Sequence, residues 1–194
     1  MMIRAAGLSL VAMSPSFAQE PEPLPSFSEC MDAEAARFER ALNRHLTGPE
    51  ADSFEIGDTH GVEYCGTLGI VSCDRSETPL ACQHALGAQQ DVLSDKVRAA
   101  LPTPETLVGR GEEPLYAALY ALALGQWAEP DCAGNTPVME AWCQAREANR
   151  RLINAVSAWQ LARYLDAVPD AFSAGWAQVP PPTRPRARAG KDKE

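Results

Sequence analysis

Asp58 and His60 stand two residues apart between Gly57 and Gly61, in the stretch EIGDTHGVEYC that runs from residue 55 to residue 65. A carboxylate and an imidazole so close can share a divalent metal, which would activate a water or steady a developing charge. Two hard ions need several more oxygen and nitrogen donors, and the only further histidines are His45 and His84. The residues ahead of the string, ADSFEI, offer only Phe54 and Ile56 as strand-forming side chains, so a buried strand is not expected to present it. A glycine-rich turn is the expected structure, formed by Asp58 and Gly61 with His60 exposed. No metal site is expected.

The string GDTHG resembles the opening of the metal site in calcineurin-like phosphoesterases. That resemblance would imply later motifs of the GDxxD, GNHE and GHxH kinds. GD does not recur, and the sole GN, Gly134-Asn135, is followed by Thr136-Pro137. No GxSxG nucleophile elbow is present either. His45 and His84 fall on predicted helices beside apolar stripes, where a structural imidazole is the expected role. Glu112 and Glu113 precede Pro114 and favour a helix N-terminus electrostatically. A glycosidase-like carboxylate pair depends on a spatial separation that a sequence does not display. No catalytic residue is assigned, and no cofactor is expected.

The sulfur chemistry is more informative. Six cysteines, Cys30, Cys65, Cys73, Cys82, Cys132 and Cys143, make an even set. No CxxC occurs, which removes a thioredoxin-like redox pair, a CxxCH haem attachment and zinc-ribbon spacing. Three disulfides are the simplest use of the set in an oxidising compartment. Six cysteines allow about 15 pairings, and sequence alone does not choose among them. Local spacing favours Cys132 with Cys143 and Cys73 with Cys82, which would leave Cys30 for Cys65.

The N-terminus agrees with that compartment. MMIRAAGLSLVAMSPSFAQE carries Arg4, a short apolar run and the small-x-small triplet Ser16-Phe17-Ala18. It reads as a signal peptide, residues 1-18, cut after Ala18. Residues 19-179 are expected to form one helical domain. The end of the chain, VPPPTRPRARAGKDKE, has a proline run, five basic residues and no apolar period, so residues 180-194 read as a disordered tail. Without the tail and Arg4, 11 basic and 24 acidic residues remain, a net charge of −13. Such a body repels nucleic acid and anionic headgroups.

Four stretches have helical period. Ser26 and Glu29 have capping-box spacing, and Phe27, Met31, Ala35, Phe38, Leu42 and Leu46 follow until Gly48-Pro49. Thr78 and Pro79 open a second run with the stripe Cys82, Leu86, Leu93, Val97 and Leu101, in which Gln90 is a gap. PLYAALYALALGQW, apolar almost all round, reads as a central helix buried on most sides, since its ten apolar residues are half of the roughly twenty needed to span a bilayer. The longest run, from Pro137 to about Val168, puts Trp142, Ala145, Leu152, Val156 and Trp159 on one side, with Glu147, Arg150, Arg151 and Asn154 facing away. A helix of that length must bend or rest one end on the segment around Phe172 and Trp176. Residues 50-73, rich in glycine, are expected to be an irregular loop or small hairpin. The expected fold is mainly α, a disulfide-stapled bundle of about four helices.

The stretch CDRSETPLACQHALGAQQDVLSDKV resembles the cysteine-rich helical start of LprI-type periplasmic lysozyme inhibitors, with Cys73, Cys82 and Asp91-Val92-Leu93 at matching positions. Trp142 and Arg146 repeat the Trp-x-x-x-Arg step of a later helix in those proteins, although Pro137-Val138-Met139 stand in place of their glutamine and Cys143 lies between the Trp and the Arg. The resemblance implies a periplasmic, non-catalytic module that binds a basic protein such as lysozyme. A small secreted hydrolase, with scattered carboxylates and a histidine, is the alternative expectation.

Overall fold

Ser26 starts the first helix, α1 (Phe27–Thr47), through a reciprocal capping box. Its hydroxyl accepts from the Glu29 amide at 3.3 Å, and the Glu29 carboxylate accepts from the Ser26 amide at 2.8 Å. Phe27, Met31, Ala35, Phe38 and Leu42 are buried as their spacing predicts, whereas Leu46, expected to close the stripe, is exposed. The computed structural model describes residues 24–48, 54–125 and 132–182. The expected signal peptide, residues 1-18, and residues 183–194 of the expected tail lie outside these.

From His60 onward, the segment expected to be a loop or hairpin is a helix. Residues His60–Asp74 form α2, and no strand occurs among the described residues. Its glycines are sites of close approach rather than turns. A Cβ on Gly61 would lie 1.7 Å from Glu34 Oε2 on α1, one on Gly66 would lie 2.2 Å from Asn149 Cγ, and one on Gly69 would lie 2.8 Å from Leu86 Cδ1. Three neighbouring helices thus press against one side chain-poor helix. Tertiary packing outweighs the roughly 1 kcal/mol that each helical glycine loses to alanine.

Pro79 occupies the first turn of α3 (Pro79–Ala99), although Thr78 makes no side-chain cap. A short 3-10 turn, Pro104–Leu107, then leads to α4 (Glu113–Ala123). The expectation that this helix is buried on most sides is overturned. Only Tyr116 and Ala123 are buried along it, while Leu115, Leu122 and Leu124 are exposed, because α4 lies at the margin, packed on the last helix and the 3-10 turn. Tyr116 fixes it there by donating its hydroxyl to the Pro102 carbonyl at 2.7 Å.

The long helix α5 (Pro137–Tyr164) packs on α3, α4 and α2 and supplies more of the core than any other helix. It ends at Tyr164, short of Val168, in a Schellman closure with no glycine. Asp166 takes φ 54°, the Asp166 amide donates to the Arg163 carbonyl, and the Ala167 amide to that of Ala162. An aspartate tolerates this left-handed position better than most side chains. Beyond it, Asp170 accepts from the amides of Phe172 and Ser173, each at 3.0 Å, and turns the chain back. Trp176 then meets Trp159 edge-on, ring centroids 4.9 Å apart, so the end of α5 does rest on that segment. Two acids of α1 hold it: Asp32 accepts from the Gln178 amide at 2.8 Å, and Glu39 accepts from the Ala171 amide and faces Arg163.

Three disulfides use all six cysteines. They join Cys30–Cys65, Cys73–Cys82 and Cys132–Cys143, the pairing that local spacing favours, with Cα–Cα distances of 5.6, 5.2 and 5.8 Å. The first ties α1 to α2, and the second closes the α2–α3 turn.

Candidate functional site

The GDTHG string leads into α2, which begins at His60. Gly57 takes φ 84°, and Asp58 then turns the chain into the helix by accepting from the His60 amide at 3.2 Å. Asp58 Oδ1 also lies 3.1 Å from His60 Nδ1, and Arg37 Nη1 reaches Asp58 Oδ2 at 3.3 Å from α1. Burial pushes the Asp58 carboxyl up, but the His60 amide and the Arg37 guanidinium outweigh it and hold the group below its ordinary value. The His60 side chain is 89% exposed, as its position predicted. Gly61, expected to form the turn, is helical instead and lies against Glu34. Among the described residues no three His, Cys, Asp or Glu side chains gather as a metal site would require.

The other histidines part company. His45 is structural: its ring stacks on Phe54 with centroids 5.2 Å apart and lies 6.1 Å from that of Tyr164, while its buried Nδ1 has no hydrogen-bond partner among the described residues. His84 departs from the expected structural role. It is exposed on α3 and lines a polar groove.

That groove, about 480 Å³, runs between α3 and α5. It exists because the residues at its floor are small. Gly87 and Ala88 of α3 face Ala141 and Ala145 of α5, and a Cβ on Gly87 would stand 3.5 Å from the Ala145 Cα. Polar groups form its walls. Arg151 donates to Asp91 Oδ1 from Nε at 3.1 Å and from Nη2 at 2.8 Å, which links the two helices. Gln83, 1% exposed, donates from Nε2 to Asp74 Oδ1 at 2.7 Å, and its Oε1 has no partner among the described residues. Glu147, expected to face away, is only 8% exposed; Arg150 approaches its Oε1 at 3.7 Å and its Oε2 has no partner among the described residues. Deeper along α3, Gln90 and Ser94 are fully or almost fully buried, so the gap in the apolar stripe is a polar seam facing Asn149.

A second groove, about 450 Å³, separates α2 from α5. Trp142 and Arg146 line it and meet there, the guanidinium carbon 5.3 Å from the ring centroid, a distance at which a cation is attracted to an indole face. The structure thus brings Trp142 and Arg146 together in one groove and sets Asp91 in the other. Sequence reasoning missed Gln83, Glu147 and Arg151 as groove residues. The visible signal was Gln90, the gap in the predicted apolar stripe, with Gln83 seven positions before it.

No protein-family model, no curated protein and no solved structure matches the chain. What stands is a protein with five helices among its described residues and three disulfides, whose cysteine usage is that of an oxidising compartment, and among its described helices none is long and apolar enough to cross a membrane.

Proposed function

We propose that the chain is an exported protein, periplasmic or secreted, that acts without catalysis by binding a basic protein partner. The leader-like start and the three disulfides support export. The observation that carries the binding role is the excess of acidic over basic side chains, five of the body's 11 basic ones being engaged within the chain. Arg37, Arg98, Arg150, Arg151 and Arg163 each face a carboxylate of this same chain. Glu55, Glu63, Asp74, Glu77, Glu105 and Glu112 are exposed, and they belong to a body with a net charge of −13. A surface of one dominant sign accelerates encounter with a partner of the other, and salt weakens the effect. The resemblance to LprI-type lysozyme inhibitors points the same way, toward a basic protein.

The test is binding of the purified chain to lysozyme, and to basic proteins of a periplasmic extract, at low and high salt. Binding that is strong at low salt and fades at high salt is expected. Absence of any basic partner at either salt would overturn the reading.

The groove between α3 and α5 favours a second reading, a small hydrolase, because it brings His84 into one lining with Asp91 and Glu147. Asp91 is engaged by Arg151, so it is not poised as a base. Turnover of an esterase, phosphatase or glycosidase substrate that is lost in His84→Ala would establish this reading; a full panel with no turnover retires it.

A further inference from the structure

We propose that the groove between α3 and α5 is the recognition pocket of this module, and that it receives a cationic N–H donor, the ammonium or guanidinium group of a lysine or arginine side chain on the basic partner. The inference rests on the binding role above and adds a place and a chemistry to it.

Two nearly buried groups in the groove have unspent hydrogen-bonding capacity, and both are acceptors. Carboxylates only accept, so the Asp74 carboxylate forces the Gln83 amide to turn its nitrogen toward it. The carbonyl oxygen of Gln83 is thereby left without a partner. Gln144, at the rim, is oriented in the same way by Glu140, which accepts from its Nε2 at 3.3 Å. Glu147 adds a carboxylate whose Oε1 faces Arg150 at 3.7 Å and whose Oε2 has no partner among the described residues. A buried carboxylate oxygen with nothing to accept from is costly, and a donor that arrives with positive charge repays most.

The charge of the lining has the matching sign. Among the lining side chains two are acidic, Asp91 and Glu147, and one is basic, Arg151; Arg150, outside the lining, approaches only the other oxygen of Glu147, at 3.7 Å, and the low-dielectric helix walls concentrate the field of the excess carboxylate. Arg151 is drawn to Asp91 by two nitrogens and works as a strut between the helices. The small floor residues leave a slot in which an unbranched lysine or arginine stem can lie along apolar surface with its head among the acceptors.

The test uses the full disulfide-bonded chain and a short oligolysine peptide, followed by calorimetry at low salt. The peptide is expected to bind the native chain and to bind Glu147→Gln about tenfold or more weakly, as the loss of a charge-assisted hydrogen bond implies. Glu55→Gln, an equal loss of charge outside the groove, is expected to leave affinity within about twofold. Equal effects of the two substitutions, or none, would overturn the groove while leaving the binding role intact. If lysozyme binds and oligolysine does not, the groove assignment falls alone; if neither binds, both fall. A free diamine that binds as tightly as the peptide, with the same dependence on Glu147, would replace the protein side chain by a small amine. If Glu147→Gln fails to fold, zero-length carbodiimide coupling of oligolysine to the native chain decides instead. Adducts at Asp91, whose side chain is about half exposed, support the pocket, and adducts confined to other carboxylates refute it.

Discussion

Asp58 accepts from His60 with one oxygen while Arg37 approaches the other, so a single carboxylate joins α1 to the first turn of α2. Its pKa is lower in the folded chain than in the unfolded one, where it takes the ordinary value of about 4. The folded chain therefore binds this proton less readily. The stabilisation is complete above about pH 4 and is lost as pH falls through the lower folded value. Asp58→Asn is expected to cost about 1 kcal/mol at neutral pH, with the difference from the native chain shrinking toward pH 2, as read from urea midpoints at the two pH values. Glu39 is the stricter case, because its side chain is largely buried and serves both Arg163 and the Ala171 amide. Glu39→Ala leaves the Ala171 amide without its acceptor and Arg163 with only the exposed Asp166, 3.9 Å away, and should cost about 2–4 kcal/mol, measurable in the same titration.

Among the elements, α2 shows what a sequence conceals. Gly61, Gly66 and Gly69 look like turn formers in a linear reading, because their purpose is set by Glu34, Asn149 and Leu86, residues up to 83 positions away. The helices α1, α3 and α5 were legible because their signals are local: a capping box, a proline in the first turn and an apolar stripe. The groove was not legible, since a glutamine in a stripe becomes meaningful only when the facing helix is in place. An exposed helical glycine gains about 1 kcal/mol on replacement by alanine. At Gly66 the sign should reverse, because the new methyl group would overlap the Asn149 carboxamide, and a loss of about 2–3 kcal/mol is expected. Adding Asn149→Ala should recover part of that loss, and a double-mutant cycle on thermal melts reads the coupling. The disulfides can be ranked likewise. Cys30–Cys65 closes 35 residues and Cys73–Cys82 closes nine, so replacing each pair by alanine should cost about 4 and about 2.5 kcal/mol.

On the scale of the whole molecule, three staples hold α1 to α2, α2 to α3, and the lead-in of α5 to its own first turns. None of them reaches α4. That helix is kept in place by Tyr116, by its one face on α5 and by the 3-10 turn, while Leu115 and Leu122 stay in water. Local opening follows the weakest attachment, so amide deuteration should run fastest in residues 113–123 of all the helices, and reducing agent should narrow that contrast by loosening the others. The covalent framework thus divides the protein into a clamped majority and one shutter-like helix, and a perturbation that unseats α4 has no sulfur bond to break on the way.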